Sequence, residues 1–576
     1  MDWTDVDKAL VGVANSDLSG RPYQSVPGRS SLTRTGTLMR FVFRRDRVRL
    51  SVWAGSIVLT YVYFVVALGA MGQDALNARS TMMQTPAGVM MGGPGFGVGP
   101  GLDYTLGIAM ANEMILWMTL VLGLQAIMHI VRHTRAEEET SRSELIRASV
   151  VGRHAPAVAA FLTLTIVQVG IAVFGALTMH AANSQAMPLT DSFGMTFGVA
   201  AAALVFGAAA LVASQLTPHP RGATGISLAF LGAMYVLVTA GNLEGLRAGT
   251  HGSALSWASP IGWAQQMAPF FALRVWPILL SLAATVLLLV VASILSTHRD
   301  YGAGMIADRR GRADALATLR SPFALAWRQQ RTSFFAWLIG MTVMWAATGT
   351  LMPDVAAMGM DGVANNALFA QIFGTDGHMA AEQFTLAFMG IAGMFVALIF
   401  AAFAISTFLR LRTEESSGRL EQLLATPASR SRMLGAQLLV VGIGVTIATT
   451  AAMVGMWAGA ASAGMTNPGL GDYLLTTASY LAAIAVYLGF AAVLFGWFPR
   501  CAQLAWLPVA YTFIVGIFGG VFNAPNWMDW FNPMHWAPAA FDGSLHLAGL
   551  IGLVVAAVAL MALAFIGFRR RDIPAV

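Results

Sequence analysis

The hydrophobic positions of this chain form long uninterrupted runs, separated by short polar or glycine-rich segments. Many runs reach the roughly 20 residues that an α-helix needs to cross about 30 Å of hydrocarbon. None shows the alternating segments of about ten residues that are typical of membrane β-barrels. The pattern predicts an all-α polytopic membrane protein with 12 transmembrane helices in 576 residues. The predicted spans are approximately 52–72, 106–130, 156–180, 192–214, 223–241, 275–297, 334–351, 383–408, 435–459, 474–497, 503–522 and 546–568.

Charged residues are few and unevenly placed. Hydrophobic residues make up 57% of the chain and charged residues only 11%. If both termini are cytosolic, only Arg79, Arg247 and Arg274 among the arginines lie outside, so the positive-inside rule predicts cytosolic termini. With this topology, the arginine excess behind the net charge of +6 lies beside anionic lipid at the inner face of a bacterial plasma membrane. The charge therefore indicates no nucleic-acid partner.

Three landmarks occur twice in the same order, which indicates an internal duplication. They are "FRRDRVRLSVWAG" at 43 with "WRQQRTSFFAWLI" at 327, "RAEEETSRSELIRASVVGR" at 135 with "RTEESSGRLEQLLATPASR" at 412, and "SPIGW" at 259 with "NPMHW" at 532. Both copies start in the cytosol, so the two six-helix repeats are parallel. The predicted organisation is a cytosolic tail (1–35), a first repeat (36–297), a cytosolic linker (298–320) and a second repeat (321–576). The basic amphipathic stretch 38–50 is predicted to lie in the membrane interface.

The segment 410–434, between the second and third spans of the second repeat, carries an unusual share of the charge. Glu414 and Glu415 open an amphipathic stretch in which Leu420, Leu423 and Leu424 can share a face. Apolar residues on a short charged cytosolic helix predict a groove on another protein.

This pattern of paired Glu, Gly-Arg-Leu-Glu, a Leu pair, Pro and Arg resembles the coupling segment of ABC-2 type transporter permeases. The doubled twelve-span layout is similar to actinobacterial permeases described as polyketide-antibiotic or multidrug exporters. The resemblance implies an exporter of hydrophobic or amphipathic compounds whose two cytosolic segments dock on two copies of a separate ABC ATPase. That partner would bind ATP and Mg, and this chain would bind no cofactor.

The resemblance implies a set of ATPase-coupling residues in each repeat. In the second repeat these are Glu414, Glu415, Gly418, Arg419, Leu420, Glu421, Leu423, Leu424, Pro427 and Arg430. In the first repeat they are Glu137, Glu138, Arg142, Glu144 and Arg153. Ser141, Ser143 and Val150 stand where the pattern has Gly, Leu and Pro, so the two segments are not equivalent.

The chain has no nucleotide-hydrolysis motif of its own. A P-loop needs a lysine after its glycines, and the only lysine, Lys8, lies in no such context. The glycine-rich segment "GGPGFGVGPG" at 92–101 lacks lysine and is predicted to be a flexible outer turn. No serine lies in a nucleophile elbow, so we expect no enzymatic activity in this chain.

Two constellations within the spans are candidates for other chemistry. Glu113 lies inside the second span, where an unpaired carboxylate is costly, so it is the candidate residue of a substrate or ion path. His129, His133 and Glu137 recur at helical spacing and could share a face, but their counterparts in the second repeat do not match, and we expect no metal there.

Two other functions fit the layout. A proton-coupled secondary transporter of the major-facilitator type also has twelve spans, but it would show a basic Gly-Arg-rich motif after its second span and several intramembrane charges. A membrane anchor or sensor would use the same loops to recruit a cytosolic partner without transporting anything.

Overall fold

The computed structural model describes residues 31–70, 72–99, 101–139, 151–299, 302–306, 314, 319–353, 381–518, 525–541 and 545–572. Within these ranges the chain is helical and contains no β-strand, as the hydrophobic pattern predicts. The chain divides into two compact units, Met1–Arg310 and Gly311–Val576, and this division falls inside the predicted linker 298–320.

The described residues of the first unit form six long helices with short helices between them. The long helices are α1 (Thr35–Gly69), α4 (Leu106–His133), α6 (Ala155–Ala182), α7 (Leu189–Leu216), α8 (Pro220–Ala248) and α11 (Pro277–His298). The short helices are α2 (Gln73–Met83), α3 (Pro86–Met91), α5 (Arg135–Glu139), α9 (Ala254–Trp257) and α10 (Pro260–Gln265).

The second unit follows the same order. Its longer helices are α12 (Pro322–Thr350), α13 (Ala381–Phe408), α16 (Arg430–Ser462), α17 (Leu470–Trp497), α18 (Leu507–Phe518) and α20 (Leu547–Arg570). Its short elements are α14 (Arg410–Ser416), α15 (Arg419–Leu424), a 3₁₀ helix (Pro499–Trp506) and α19 (Asn526–Trp530).

Among the described residues, 11 helices are long and apolar enough to cross a membrane. They correspond to eleven of the twelve predicted spans. The remaining predicted span, 503–522, begins in the 3₁₀ helix and continues as α18, and its last residues lie outside the described ranges. The chain is therefore an all-α polytopic membrane protein.

The predicted interfacial stretch 38–50 lies in α1, which is 35 residues long and consists of two helices that meet at a kink at the non-helical residue Asp46. The helix before the kink is distinct from the helix that continues into the first span. At 1.5 Å per residue the whole of α1 is about 50 Å long and exceeds the hydrocarbon thickness. The segment before Asp46 is therefore available for contacts at the inner membrane surface.

The main helix contacts of the first unit recur in the second. The first span packs on the third, the second on the fourth, the third on the fourth, and the fourth on the last. In the first unit these pairs are α1 with α6, α4 with α7, α6 with α7 and α7 with α11. In the second unit they are α12 with α16, α13 with α17, α16 with α17 and α17 with α20. Each last span thus packs chiefly against the fourth span of its own unit.

Small residues set the closest of these contacts, between α12 and α16. Gly455 and Gly459 are four residues apart on α16 and face the backbone of α12. A Cβ atom at Gly459 would lie 1.9 Å from the carbonyl oxygen of Ala346, a distance that no side chain tolerates. Small residues at this spacing let two membrane helices approach closely enough for backbone contact.

We predict that Gly459→Leu destabilises the second unit by about 1 to 3 kcal/mol, because the added side chain must separate α12 from α16. The matched control is Gly442→Leu on the same helix, since a Cβ at Gly442 meets nothing within 4 Å. Unfolding in detergent, followed by circular dichroism, measures the difference. Equal stability of the two variants would contradict the close contact.

Candidate functional site

The segment between the second and third spans of the second unit folds as two short helices. α14 begins just after α13 ends, and α15 follows a turn at Gly418, whose φ of 72° lies in the left-handed region that favours glycine. The Ser429 side chain then accepts a hydrogen bond from the backbone N–H of Arg432 and caps α16. This segment, residues 410–434, therefore folds as two short helices joined by a tight turn, and it is here called the second loop.

The leucines of the second loop face its own unit. Leu420 is fully buried in the hydrophobic core, and Leu423 and Leu424 are half-buried against it. The expectation that these side chains present an apolar face to a partner is wrong for Leu420, because the core of the chain itself covers it. The exposed side of the loop is polar instead and carries Arg419 and Glu421.

Glu415 of the second loop is a buried carboxylate with two arginine partners. Its Oε2 lies 2.8 Å from Nη2 of Arg571, and its Oε1 lies 3.4 Å from Nη1 of Arg412. Arg571 directly follows the end of α20. Its guanidinium also lies over the ring of Phe495, 5.0 Å from the ring centroid, and donates to the Phe495 carbonyl. The second loop is therefore joined to the ends of α17 and α20.

Two further residues of the second loop make ionic or polar contacts. Glu414 accepts a hydrogen bond of 3.3 Å from the exposed Arg419. Arg430 donates to the backbone carbonyls of Arg569 and Arg571 at the end of α20. The matched residue Pro427 is exposed on the turn between α15 and α16.

The corresponding segment of the first unit, here called the first loop, is described at its two ends only. Residues 140–150 lie outside the described ranges, so the predicted coupling residues Arg142 and Glu144 have no described position. Glu138 lies on α5, where its Oε2 accepts from Arg135 and its Oε1 lies 2.8 Å from Nη2 of Arg299. Arg299 directly follows the end of α11.

Arg153 closes the other end of the first loop. Its guanidinium donates to the carbonyl oxygens of Ser296 at 2.7 Å and Thr297 at 3.2 Å, both in the last turn of α11. Cations at a helix C-terminus are stabilised by the carbonyl groups that have no partner within the helix.

The first loop has an additional ionic cluster that sequence reasoning missed. Glu137 accepts from Arg45, and the buried Asp46 accepts from Nε of Arg132 at 3.1 Å and faces Nε2 of His133 at 3.0 Å. The kink of α1 brings Asp46 to this position. The available sequence signal for this cluster was a single aspartate that stands among arginines just before the first predicted span. His133 takes part in this cluster, and Nε2 of His129 lies 3.2 Å from the carbonyl oxygen of Ala160.

On the predicted outer side, Glu113 has a partner that the sequence did not indicate. Nε and Nη2 of Arg79 donate to its two carboxylate oxygens at 2.8 and 2.6 Å. Arg79 lies on α2, 34 positions earlier in the chain. Burial alone would lower the pKa of the Arg79 guanidinium, but its hydrogen bonds to Glu113 raise that pKa above the usual arginine value. The guanidinium and the carboxylate therefore make a two-bond contact in which their charges offset each other.

The glycine-rich segment beside this ion pair is packed, so the prediction of a flexible outer turn is wrong. Residues 92–97 are buried. Asn112 donates to the Phe96 carbonyl at 2.9 Å, and Gln265 donates to the Gly92 carbonyl at 3.1 Å. A Cβ at Gly92 would lie 2.9 Å from the backbone oxygen of Asn112, so the glycine is needed for close approach to α4.

One small cavity in each unit is far smaller than a drug-sized ligand. One lies under the glycine-rich segment beside Phe96 and Asn112, and another lies between Trp327 and Phe403 in the second unit. Each has a volume of about 10 Å³, which is on the order of one water molecule.

We predict that Arg79→Gln destabilises the chain by about 3 to 5 kcal/mol, because it leaves the Glu113 carboxylate without its partner. The double variant Arg79→Gln, Glu113→Gln should recover much of that loss, since no unpaired charge remains. Arg247→Gln, at an exposed arginine on the same predicted side, is the control. Detergent unfolding curves measure all three, and a double variant no more stable than Arg79→Gln would contradict the ion pair.

Known proteins match the chain over most of its length. A family model described as the C-terminal domain of the multidrug efflux system permease Rv1217c matches residues 319–569. The multidrug efflux system permease protein Rv1217c of Mycobacterium tuberculosis is 33% identical over 555 residues, which cover 94% of this chain and 96% of the relative. The chain therefore belongs to the family of the multidrug efflux permease Rv1217c, as a multi-pass membrane protein.

Proposed function

We propose that this chain is the transmembrane subunit of an ABC-2 type exporter that moves hydrophobic or amphipathic compounds out of the cell. The energy comes from ATP hydrolysis by a separate ATPase, two copies of which dock on the first and second loops. The relative is named as the permease of an efflux system, which supports the efflux role and the existence of further components.

The observation that carries the proposal is the two-sided character of the second loop. One side is anchored in its own unit by the buried Leu420 and Glu415. The other side exposes Arg419, Glu421 and Pro427. A simple connection between two spans needs no helices and no buried anchor, whereas a surface that receives force needs both a rigid base and an exposed face.

In this proposal the partner ATPase binds ATP and Mg. Phosphoryl transfer needs a lysine or equivalent cation at the phosphates, and the only lysine of this chain is Lys8 in the predicted tail. We therefore assign no catalytic residue and no cofactor to this chain. Its own contribution is the path for the exported compound and the two loops.

The ion pair at Glu113 weighs against the competing hypothesis of a proton-coupled transporter. A proton carrier in a membrane span must gain and lose its proton during the cycle. Both oxygens of Glu113 instead accept hydrogen bonds from Arg79. Because both oxygens are occupied by one guanidinium, we propose that this sequence-based candidate for an ion path is a structural contact beside α2.

The exported compound is proposed to be apolar or amphipathic, because the described spans present mostly hydrophobic side chains. Exposed valine, leucine and isoleucine side chains line the surfaces of α11 and α20.

The test is purification of the tagged chain from its native host in mild detergent, followed by quantification of associated proteins. We expect a soluble ATPase at about two copies per chain, and we expect Glu421→Ala to lower efflux and transport-stimulated ATP hydrolysis by about tenfold without loss of membrane insertion. Glu144→Ala tests the first loop in the same way.

The matched control is Glu244→Ala, which removes an exposed glutamate on the predicted outer side. Efflux that follows the proton gradient with no associated ATPase would overturn the proposal. Drug susceptibility that does not change on deletion of the chain would favour a membrane anchor or sensor instead.

A further inference from the structure

Four arginine and glutamate positions of the two loops correspond in register. Arg135 and Glu138 of the first loop lie 277 positions before Arg412 and Glu415 of the second. In both loops the arginine and the glutamate are three residues apart and form an ion pair. The repeat therefore keeps the ion pair between the two residues as well as the residues themselves.

Each of these two glutamates also has a second arginine partner, which lies outside the aligned loop segments. Glu138 pairs with Arg299, and Glu415 pairs with Arg571, at 2.8 Å in each case. Each of these arginines is the residue directly after the last span of its unit, α11 or α20. One carboxylate in each loop thus joins two arginines, one from the loop and one from the end of the last span.

The far end of each loop contacts the same span a second time. Arg153 donates to the carbonyls of Ser296 and Thr297, and its counterpart Arg430 donates to the carbonyls of Arg569 and Arg571. Arg153 and Arg430 are again 277 positions apart. In each unit the last span is therefore held from both ends of the loop.

The last spans are otherwise loosely held. Within their most apolar windows only 17% of α11 and 22% of α20 is buried inside the chain, against 83% for α7. Each packs chiefly on the fourth span, with a smaller contact to α10 for α11 and to α16 for α20, and the loop adds polar contacts at its predicted cytosolic end. A displacement of the loop would act directly on this helix.

We infer that Glu138 and Glu415 are positioning residues that make each last span move together with its loop during transport. This inference rests on the proposed function, because the loops are the proposed docking surfaces. The ionised carboxylate is essential to it: a buried glutamine of the same shape keeps a hydrogen bond but leaves two facing guanidinium groups without a counter-charge.

The experiment compares Glu415→Gln, Glu138→Gln and the wild-type full chain, each purified with its associated ATPase. The control is Arg500→Gln, at an exposed residue of the 3₁₀ helix that makes no contact with either loop glutamate. Four quantities are measured: the amount of chain in the membrane, the ATPase bound per chain, efflux of ethidium from cells, and ATP hydrolysis with and without ethidium.

We expect each glutamine variant to lower ethidium efflux by about tenfold and to remove the stimulation of ATP hydrolysis by ethidium. Membrane amount should match that of the control, and efflux and ATP hydrolysis are compared per bound ATPase. Wild-type efflux in both variants would overturn the inference. A fall in efflux that merely parallels a fall in membrane amount or bound ATPase would overturn it too, because it would show a structural role only.

Failure of the proposed function has a different signature. If the wild-type chain carries no ATPase, the proposed motor is wrong. Loss of efflux in the glutamine variants at unchanged membrane amount would still support the role of Glu138 and Glu415, and unchanged efflux would overturn it.

Discussion

A carboxylate held between two arginines fixes the predicted cytosolic end of each unit. Glu138 and Glu415 lie largely out of water, where a charge persists only with close partners, and each has one partner on its loop and one after the last span. The second loop lies against its own unit, with Leu420 in the core and Glu421 exposed. The ion pairs of Glu415 and the burial of Leu420 together hold the loop so that the proposed docking face is exposed.

The same kind of contact occurs within each unit, but the residues around it differ. In the first unit, the kink of α1 brings Asp46 to His133 and Arg132, so the first span is also tied to the loop region. In the second unit the repeat alignment places Gln330 and Arg410 at the positions of Asp46 and His133, so the same side chains do not recur there. The two loops therefore begin in different side-chain environments.

The hydrophobic runs predicted the helices and the polytopic class, because helix length and hydropathy depend on residues close together in sequence. The pairing of Glu113 with Arg79 and the burial of residues 92–97 could not be predicted this way, since both depend on which distant segments pack together. Leu420 illustrates the same limit: its spacing marks an apolar face, but spacing does not tell whether the chain itself or a partner covers that face.

The central claim is that each loop and its last span move as one body. Cys501 is the only cysteine and is exposed, so its replacement by alanine allows spin labels to be placed at chosen sites. Spin labels are placed at Gln422 on α15 and at the exposed Ile566 on α20. Pulsed electron paramagnetic resonance then measures the distance between the second loop and the last span. The account predicts the same distance distribution at rest and during active efflux. A second population that appears only during efflux would contradict it.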